Sequence, residues 1–124
     1  MLTTSIDGTV APADLEDAIM AFFPENEWQN AVDIAYLESS FNADACNATA
    51  LYRGGCGSMI APINGVPVSA EFSVGYFQIN MCNLPGWNIG AMFRAHDNVG
   101  TAKHMWQTRG WSPWYFSARR LGLL

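Results

Sequence analysis

Glu38 stands where its sequence neighbours would let a carboxyl group act as an acid. Trp28, Ala31, Ala35 and Glu38 recur at spacings of three, four and three, so they share one helix face that is apolar until the carboxyl at its end. Such a face turns toward the core, and its last residue meets solvent or a cleft. Burial beside apolar groups favours the neutral form of a carboxyl, the state a general acid needs near neutral pH. Protonating a leaving oxygen is the chemistry of glycosidic bond cleavage, in which many enzymes use a second carboxylate as nucleophile or base. Glu71, four residues before Gly75, and Asp44, in the loop after that helix, are other acids of the chain. On an extended strand Glu71, Ser73 and Gly75 share a face, so Glu71 reaches a cleft only where the strand stays regular.

The run Gly75-Tyr76-Phe77-Gln78-Ile79-Asn80 supplies neutral polar groups suited to a sugar. Gln78 and Asn80 each offer a donor and an acceptor to an N-acetyl amide or a hydroxyl. Gly75 lets a ligand approach the backbone closely. Tyr76, Trp114 and Tyr115 have faces on which a sugar can stack, and the Tyr115 hydroxyl is a candidate to orient Glu38. Trp28, Trp106, Trp111, Phe22 and Phe23 fall on helical apolar stripes and read as core. Ser39 is as well suited to bonding the helix end as to touching substrate.

Other chemistries find less support. His96 and His104 lack an H-E-x-x-H pattern and read as surface or capping residues, so no metal site is expected. Asn42, Asp44 and Asn47 imitate part of a calcium loop without its glycine or distal glutamate. Asn47-Ala48-Thr49 is a glycosylation sequon only in a protein secreted by a eukaryote. No G-x-S-x-G turn and no phosphate-binding Gly-Lys pair occurs.

The elements that must position these residues follow from local signals. Pro12 and the acids Asp14, Glu16 and Asp17 open a first helix with Leu15, Ile19 and Phe22 on one face, and Pro24 stops it. A second helix begins near Asn26 and carries Glu38. Gly54, Gly55, Gly57, Pro62, Gly65 and Pro67 make residues 42 to 68 loop-like. The β-branched and aromatic stretch from Val66 to Asn80 predicts a short hairpin or irregular sheet. Helical segments follow over Ile89 to Ala95 and Asp97 to Thr108, with Asp97 as N-cap and Gly110 as stop. Ser112 and Pro113 start a last short helix that ends at Gly122. The expected fold class is α+β in one domain, residues 1 to 124, mostly helical with a small β-element in the middle.

Composition agrees with one folded unit. Of the 124 residues, 50% are hydrophobic and only 14% charged, which excludes intrinsic disorder. The longest apolar run, Ala18 to Phe23, spans six residues, far short of the ~20 that cross a bilayer. A net charge of −5 is opposite to a nucleic-acid-binding footprint. It is also unevenly spread: residues 1 to 52 carry −9 and residues 53 to 124 carry +4. The N-terminus lacks the basic n-region of a secretory signal, so the expectation is a cytosolic protein or one delivered by another route. Cys46, Cys56 and Cys82 are odd in number and lack C-x-x-C spacing; reduced, buried thiols are favoured over a bridge from Cys46 to Cys56.

Ile34-Ala35-Tyr36-Leu37-Glu38-Ser39-Ser40-Phe41-Asn42, followed by Gly75-Tyr76-Phe77-Gln78-Ile79-Asn80, resembles the lysozyme-like superfamily, in particular the soluble lytic transglycosylases of bacteria and phages. Asp97-Asn98 and Gly110-Trp111-Ser112-Pro113-Trp114-Tyr115 resemble the third and fourth blocks of that family. The ordered set spans about residues 28 to 115; the last block departs by having Tyr115-Phe116 where transglycosylases commonly have Tyr-Asn. The resemblance implies a lysozyme-like fold, with Glu38 as catalytic acid and Gly75, Tyr76, Gln78, Asn80, Trp114 and Tyr115 along a sugar cleft. Lysozymes of the animal type carry an Asp where this chain has Ser73, leaving Glu71 and the loop acid Asp44 as candidates for a second acid, Glu71 being the possible second acid on the strand.

It implies cleavage between N-acetylmuramic acid and N-acetylglucosamine in peptidoglycan, by a single glutamate, with anhydro-muramoyl ends and no cofactor. A lysozyme-type hydrolase of the same bond is the nearest alternative, and a non-catalytic glycan-binding or structural virion protein the alternative of another class. The partner implied is the peptidoglycan glycan strand in the bacterial cell wall or periplasm, reached as a phage virion component alongside other virion proteins, without nucleic acid or a membrane span.

Overall fold

A computed structural model describes residues 3–48, 72–81 and 89–124. It is mostly helical with one small antiparallel sheet, an α+β arrangement. Helix α1 runs over Ala13–Phe22 and α2 over Trp28–Ser39. Strands β1 (Cys46–Ala48), β2 (Phe72–Val74) and β3 (Ile79–Asn80) form the sheet in that order. Helix α3 spans Ala95–Arg109 and α4 spans Tyr115–Arg120. Single 3₁₀ turns at Glu25–Glu27, Ile89–Phe93 and Ser112–Trp114 introduce α2, α3 and α4.

Several expected boundaries move. The second helix starts at Trp28, because the turn after Pro24 is wound as 3₁₀, with the Glu27 amide donating to the Pro24 carbonyl. The segment after Ile89 is 3₁₀ and stops at Phe93. Asp97 is not an N-cap: α3 begins at Ala95 after extended Arg94, and Asp97 lies in the first turn. There it suits the positive helix end and its Oδ2 is 3.4 Å from Arg94 Nε. Ser112 and Pro113 open a 3₁₀ turn, and the α-helix proper starts at Tyr115.

The core joins all four helices to the sheet. Leu15 and Ile19 of α1, Ala31, Ile34 and Ala35 of α2, Val74 and Ile79 of the sheet and Val99 and Ala102 of α3 are all buried. Phe23, Phe77, Trp106, Trp111 and Trp114 form a connected ring cluster with neighbouring centroids 5.5 to 6.2 Å apart. Large aromatic side chains carry much of a small core's burial, which compensates for so short a sheet.

The segment from Thr3 to Ala11 folds back on itself, with the Ala11 amide on the Thr3 carbonyl and a Thr4 to Val10 bridge. It is fastened along one face of α2. Gln29 Nε2 donates to the Thr4 carbonyl at 2.8 Å, Asp33 accepts from the Ile6 amide, and the Tyr36 hydroxyl donates to Asp7. These α2 residues are four and three positions apart, the repeat of one helix face.

Cys46 is disulfide-bonded, which corrects the expectation of reduced thiols; its partner lies outside the described residues. Bridging depends on how closely two Cα atoms approach in space, which spacing along the chain does not report. Among the described residues no helix is long and apolar enough to cross a membrane.

Candidate functional site

Glu38 is the penultimate residue of α2 and is half-buried, while Ala31 and Ala35 on the same stripe are fully buried. The stripe therefore runs from the core to its edge, as the spacing predicts. The helix stops abruptly behind the carboxyl. The Ser39 hydroxyl donates to the Ala35 carbonyl at 2.9 Å, and Ser40 and Phe41 both adopt left-handed backbone, with φ of 52° and 62°. Left-handed conformations disfavour residues with a Cβ by about 1 to 2 kcal/mol each. Phe41 packs its ring edge-on against Tyr36, with centroids 5.1 Å apart, which helps hold the turn.

The Glu38 carboxylate has a partner that the sequence reading missed. The Ser117 hydroxyl, on α4, donates to Glu38 Oε2, and Ser117 is itself buried. A lone serine in a short C-terminal helix gives no sequence signal of this kind. Its position two residues beyond Tyr115, the residue expected to orient Glu38, is the nearest hint. The Tyr115 hydroxyl instead accepts from Arg119 Nη1 at 3.5 Å.

The turn from Gly75 to Gln78 joins β2 to β3 and is locked by its own side chains. Gln78 is buried and left-handed, with φ of 48°. Its Nε2 donates to the carbonyls of Ala45 at 3.1 Å and Gly75 at 3.0 Å, and its Oε1 accepts from Asn47 Nδ2 at 2.6 Å. Both amide protons, the donors expected to meet a sugar, are thus bonded to the chain's own backbone. Gly75 has φ of +77°, and a Cβ there would lie 2.2 Å from Asn98 Nδ2 and 2.3 Å from the Met92 carbonyl. The close approach that this glycine permits is to Asn98.

Asn98 is completely buried and satisfied on both sides. Its Nδ2 donates to the carbonyls of Val74 and Met92, and its Oδ1 accepts from the Phe77 amide. Trp114 Nε1 donates to the Phe77 carbonyl at 2.7 Å. Side-chain bonds therefore run from the third and fourth motif blocks to the second, and from α4 to Glu38 in the first.

Burial separates the expected sugar-stacking residues. Tyr76 is only 3% exposed and its hydroxyl donates to Asp14 Oδ1 at 2.8 Å; burial, aided by that carboxylate, pushes the phenol well above its ordinary pKa. Trp114 is 4% exposed and belongs to the ring cluster. Both spend their faces on packing. Tyr115, 49% exposed, remains available, and beside it stands Phe116.

Across the sheet Asn47 lies opposite Ser73, and Ser73 opposite Asn80. Directly opposed residues share a face, so this row holds three neutral polar side chains, of which Ser73 is buried and Asn47 is bonded to Gln78. Of the candidate second acids, Asp44 is exposed in the turn after α2 and Glu71 lies outside the described residues. No known protein family, curated protein or solved structure matches this chain. The site therefore stands on its own geometry.

Two other places gather polar groups. A groove of about 690 Å³ between α1 and the start of α3 is lined by Asp14, Asp17, Phe93, Arg94 and His96, among others, and none of the expected site residues that are described borders it. His96 packs against the Phe22 ring, with centroids 4.8 Å apart, and His104 is exposed. Among the described residues no group of three or more His, Cys, Asp or Glu side chains is arranged to hold a metal ion.

Proposed function

We propose that this chain is a lysozyme-like enzyme that degrades peptidoglycan, cleaving between N-acetylmuramic acid and N-acetylglucosamine as a lytic transglycosylase. The observation that carries the reading is the half-buried Glu38 at the end of α2, held at Oε2 by the buried Ser117 hydroxyl. A carboxyl at the core's edge with a fixed orientation is what general acid catalysis asks of a side chain.

In the proposed reaction the Glu38 carboxyl gives its proton to the glycosidic oxygen as the bond from that oxygen to the muramoyl C1 breaks. The carbonyl of the sugar's own N-acetyl group stabilises the positive charge at C1. Glu38, now a carboxylate, takes the proton from the muramoyl 6-hydroxyl, whose oxygen bonds to C1 and closes the anhydro ring. Substrate assistance removes the need for a second carboxylate. Ser73, where animal-type lysozymes carry an Asp, supports this form over the hydrolytic one. Asn80 and Tyr115 serve the sugar, while Gly75, Tyr76, Gln78 and Trp114 hold the turn and helix in place. A bonded Cys46 fits a protein that works outside the reducing cytosol, at the cell wall, as a phage virion component would.

Clearing of a cell-wall suspension by wild type and by Glu38→Gln tests the reading. The variant keeps the shape and removes the ionisable group, so clearing should fall at least about a hundredfold. Equal clearing would show that Glu38 is not the acid.

A further inference from the structure

Phe116 is 84% exposed, the most exposed large apolar side chain among the described residues. Leaving a phenylalanine in water forfeits about 1.5 to 3 kcal/mol that burial would return. Its neighbour Tyr115 is also exposed, and the two rings meet edge to face with centroids 5.4 Å apart. Helix α4 buries Ser117 and Ala118 and leaves Tyr115, Phe116, Arg119 and Arg120 outside. Residues four apart share a helix face, so Tyr115 is grouped with Arg119 and Phe116 with Arg120. The same short helix carries Ser117, whose hydroxyl reaches Glu38.

We infer that the outer side of α4 is a docking platform for a glycan strand bearing carboxylates, lying beside the cleavage site. This rests on the proposed function and extends it from Tyr115 to Phe116, Arg119 and Arg120, beyond the motif blocks. The rings of Tyr115 and Phe116 offer apolar faces to the C–H faces of sugars, and Arg119 and Arg120 offer planar forks to carboxylates. Charge selects this occupant. Tyr115–Arg120 holds two exposed cations, Arg119 and Arg120, and no acid, in a chain that is −5 as a whole. Holding the strand at α4 keeps it next to Glu38 between cleavage events.

The test uses Glu38→Gln protein, so that binding is read without cleavage, and purified insoluble peptidoglycan sacculi as the probe in a sedimentation assay. Adding Phe116→Ala should raise the dissociation constant about three- to tenfold with no change in melting temperature, because the ring is exposed. Phe116→Trp should keep the affinity. Replacing Arg119 and Arg120 with Gln should weaken binding and flatten its salt dependence. The platform is overturned if Phe116→Ala sediments as well as its parent while wild type dissolves the sacculi; the proposed function then stands. It is also overturned if Phe116→Ala loses affinity for phosphatidylglycerol vesicles but not for sacculi, which would make α4 a lipid-binding surface. If wild type neither binds nor dissolves sacculi, the platform and the proposed function fall together.

Discussion

The Ser117 hydroxyl, on the last helix, donates to the Glu38 carboxylate at the end of the second, across 79 residues of chain. One side chain thus ties the C-terminal helix to the residue proposed as acid and base. Ser117→Ala removes the bond that fixes Oε2 and loosens the carboxyl's orientation. We expect kcat to fall about tenfold with KM within twofold, since the loss falls on the proton transfers, and Ser117→Thr to restore most of it. A merely structural serine would instead lower the melting temperature of Ser117→Ala without splitting kcat from KM.

Asn98 and Gly75 form one packing unit, so replacing either should harm the fold. Asn98→Ala removes the bonds to the Phe77 amide and to the carbonyls of Val74 and Met92, at a cost of about 3 to 5 kcal/mol. Gly75→Ala adds a Cβ within 2.2 Å of Asn98 Nδ2 at a φ of +77°, costing at least about 3 kcal/mol. Urea melts of the two variants should show these losses. Wild-type midpoints would contradict the described turn.

Gln78 separates a turn-holding role from a sugar-binding one. Gln78→Ala loses three side-chain hydrogen bonds, so unfolding should become easier by about 2 to 4 kcal/mol. Gln78→Glu, nearly the same shape, sets a carboxylate against the carbonyls of Ala45 and Gly75 and should also destabilise. An unchanged melting temperature with a raised KM would give Gln78 to the substrate instead.

The fastening of residues 3–11 to α2 carries two carboxyls whose pKa values shift in opposite directions. Burial pushes the Asp33 carboxyl above its ordinary pKa, against the hydrogen bonds from Gln29 and Ile6. Ionised Asp33 therefore opposes folding, and stability gains as pH falls through its raised folded value toward the ordinary aspartate range. Hydrogen bonds from Ser5, Tyr36 and Thr9 hold Asp7 well below that range. Its contribution is present above the ordinary value and is lost as pH falls below it. Thermal melts from pH 7 to pH 2 should show Asp33→Asn above wild type at neutral pH, with the gap closing in acid. Asp7→Asn should lie below wild type at neutral pH, with the gap narrowing as pH falls below the ordinary aspartate value but still open at pH 2.

Cys46 is bonded, and the chain has three cysteines. Alkylation of the denatured, unreduced protein should label one thiol, and reduction should expose all three. Cys46→Ser should cost about 2 to 4 kcal/mol under oxidising conditions. Three labelled thiols without reductant would remove the bridge.

Elements with a strong local signal were legible in the sequence. Pro12 and the acids after it mark α1, the 28, 31, 35, 38 stripe places Glu38 at the core's edge, and Gly110 stops α3. What escaped depends on approach in space. Ser117 meets Glu38 only because α4 packs against α2, and Tyr76 turns inward because Asp14 of α1 waits for its hydroxyl. By its side-chain chemistry Gln78 suits a sugar, and that same chemistry is used on Ala45 and Gly75. Asn98 was seen only as part of a motif block, because a buried asparagine in a helix is indistinguishable in sequence from a solvated one. The 3₁₀ turns differ from α-helical starts by a single hydrogen-bond register.

Mass spectrometry of the fragments released from purified peptidoglycan tests the central claim most directly. With Glu38 as the sole acid and base, wild type should release muropeptides ending in anhydro-muramoyl groups, each lighter by one water than the hydrolysed product, and Glu38→Gln should release none. Reducing muramoyl ends throughout would show a hydrolase with a second carboxylate or a bound water. No fragments from wild type would remove the enzymatic reading altogether.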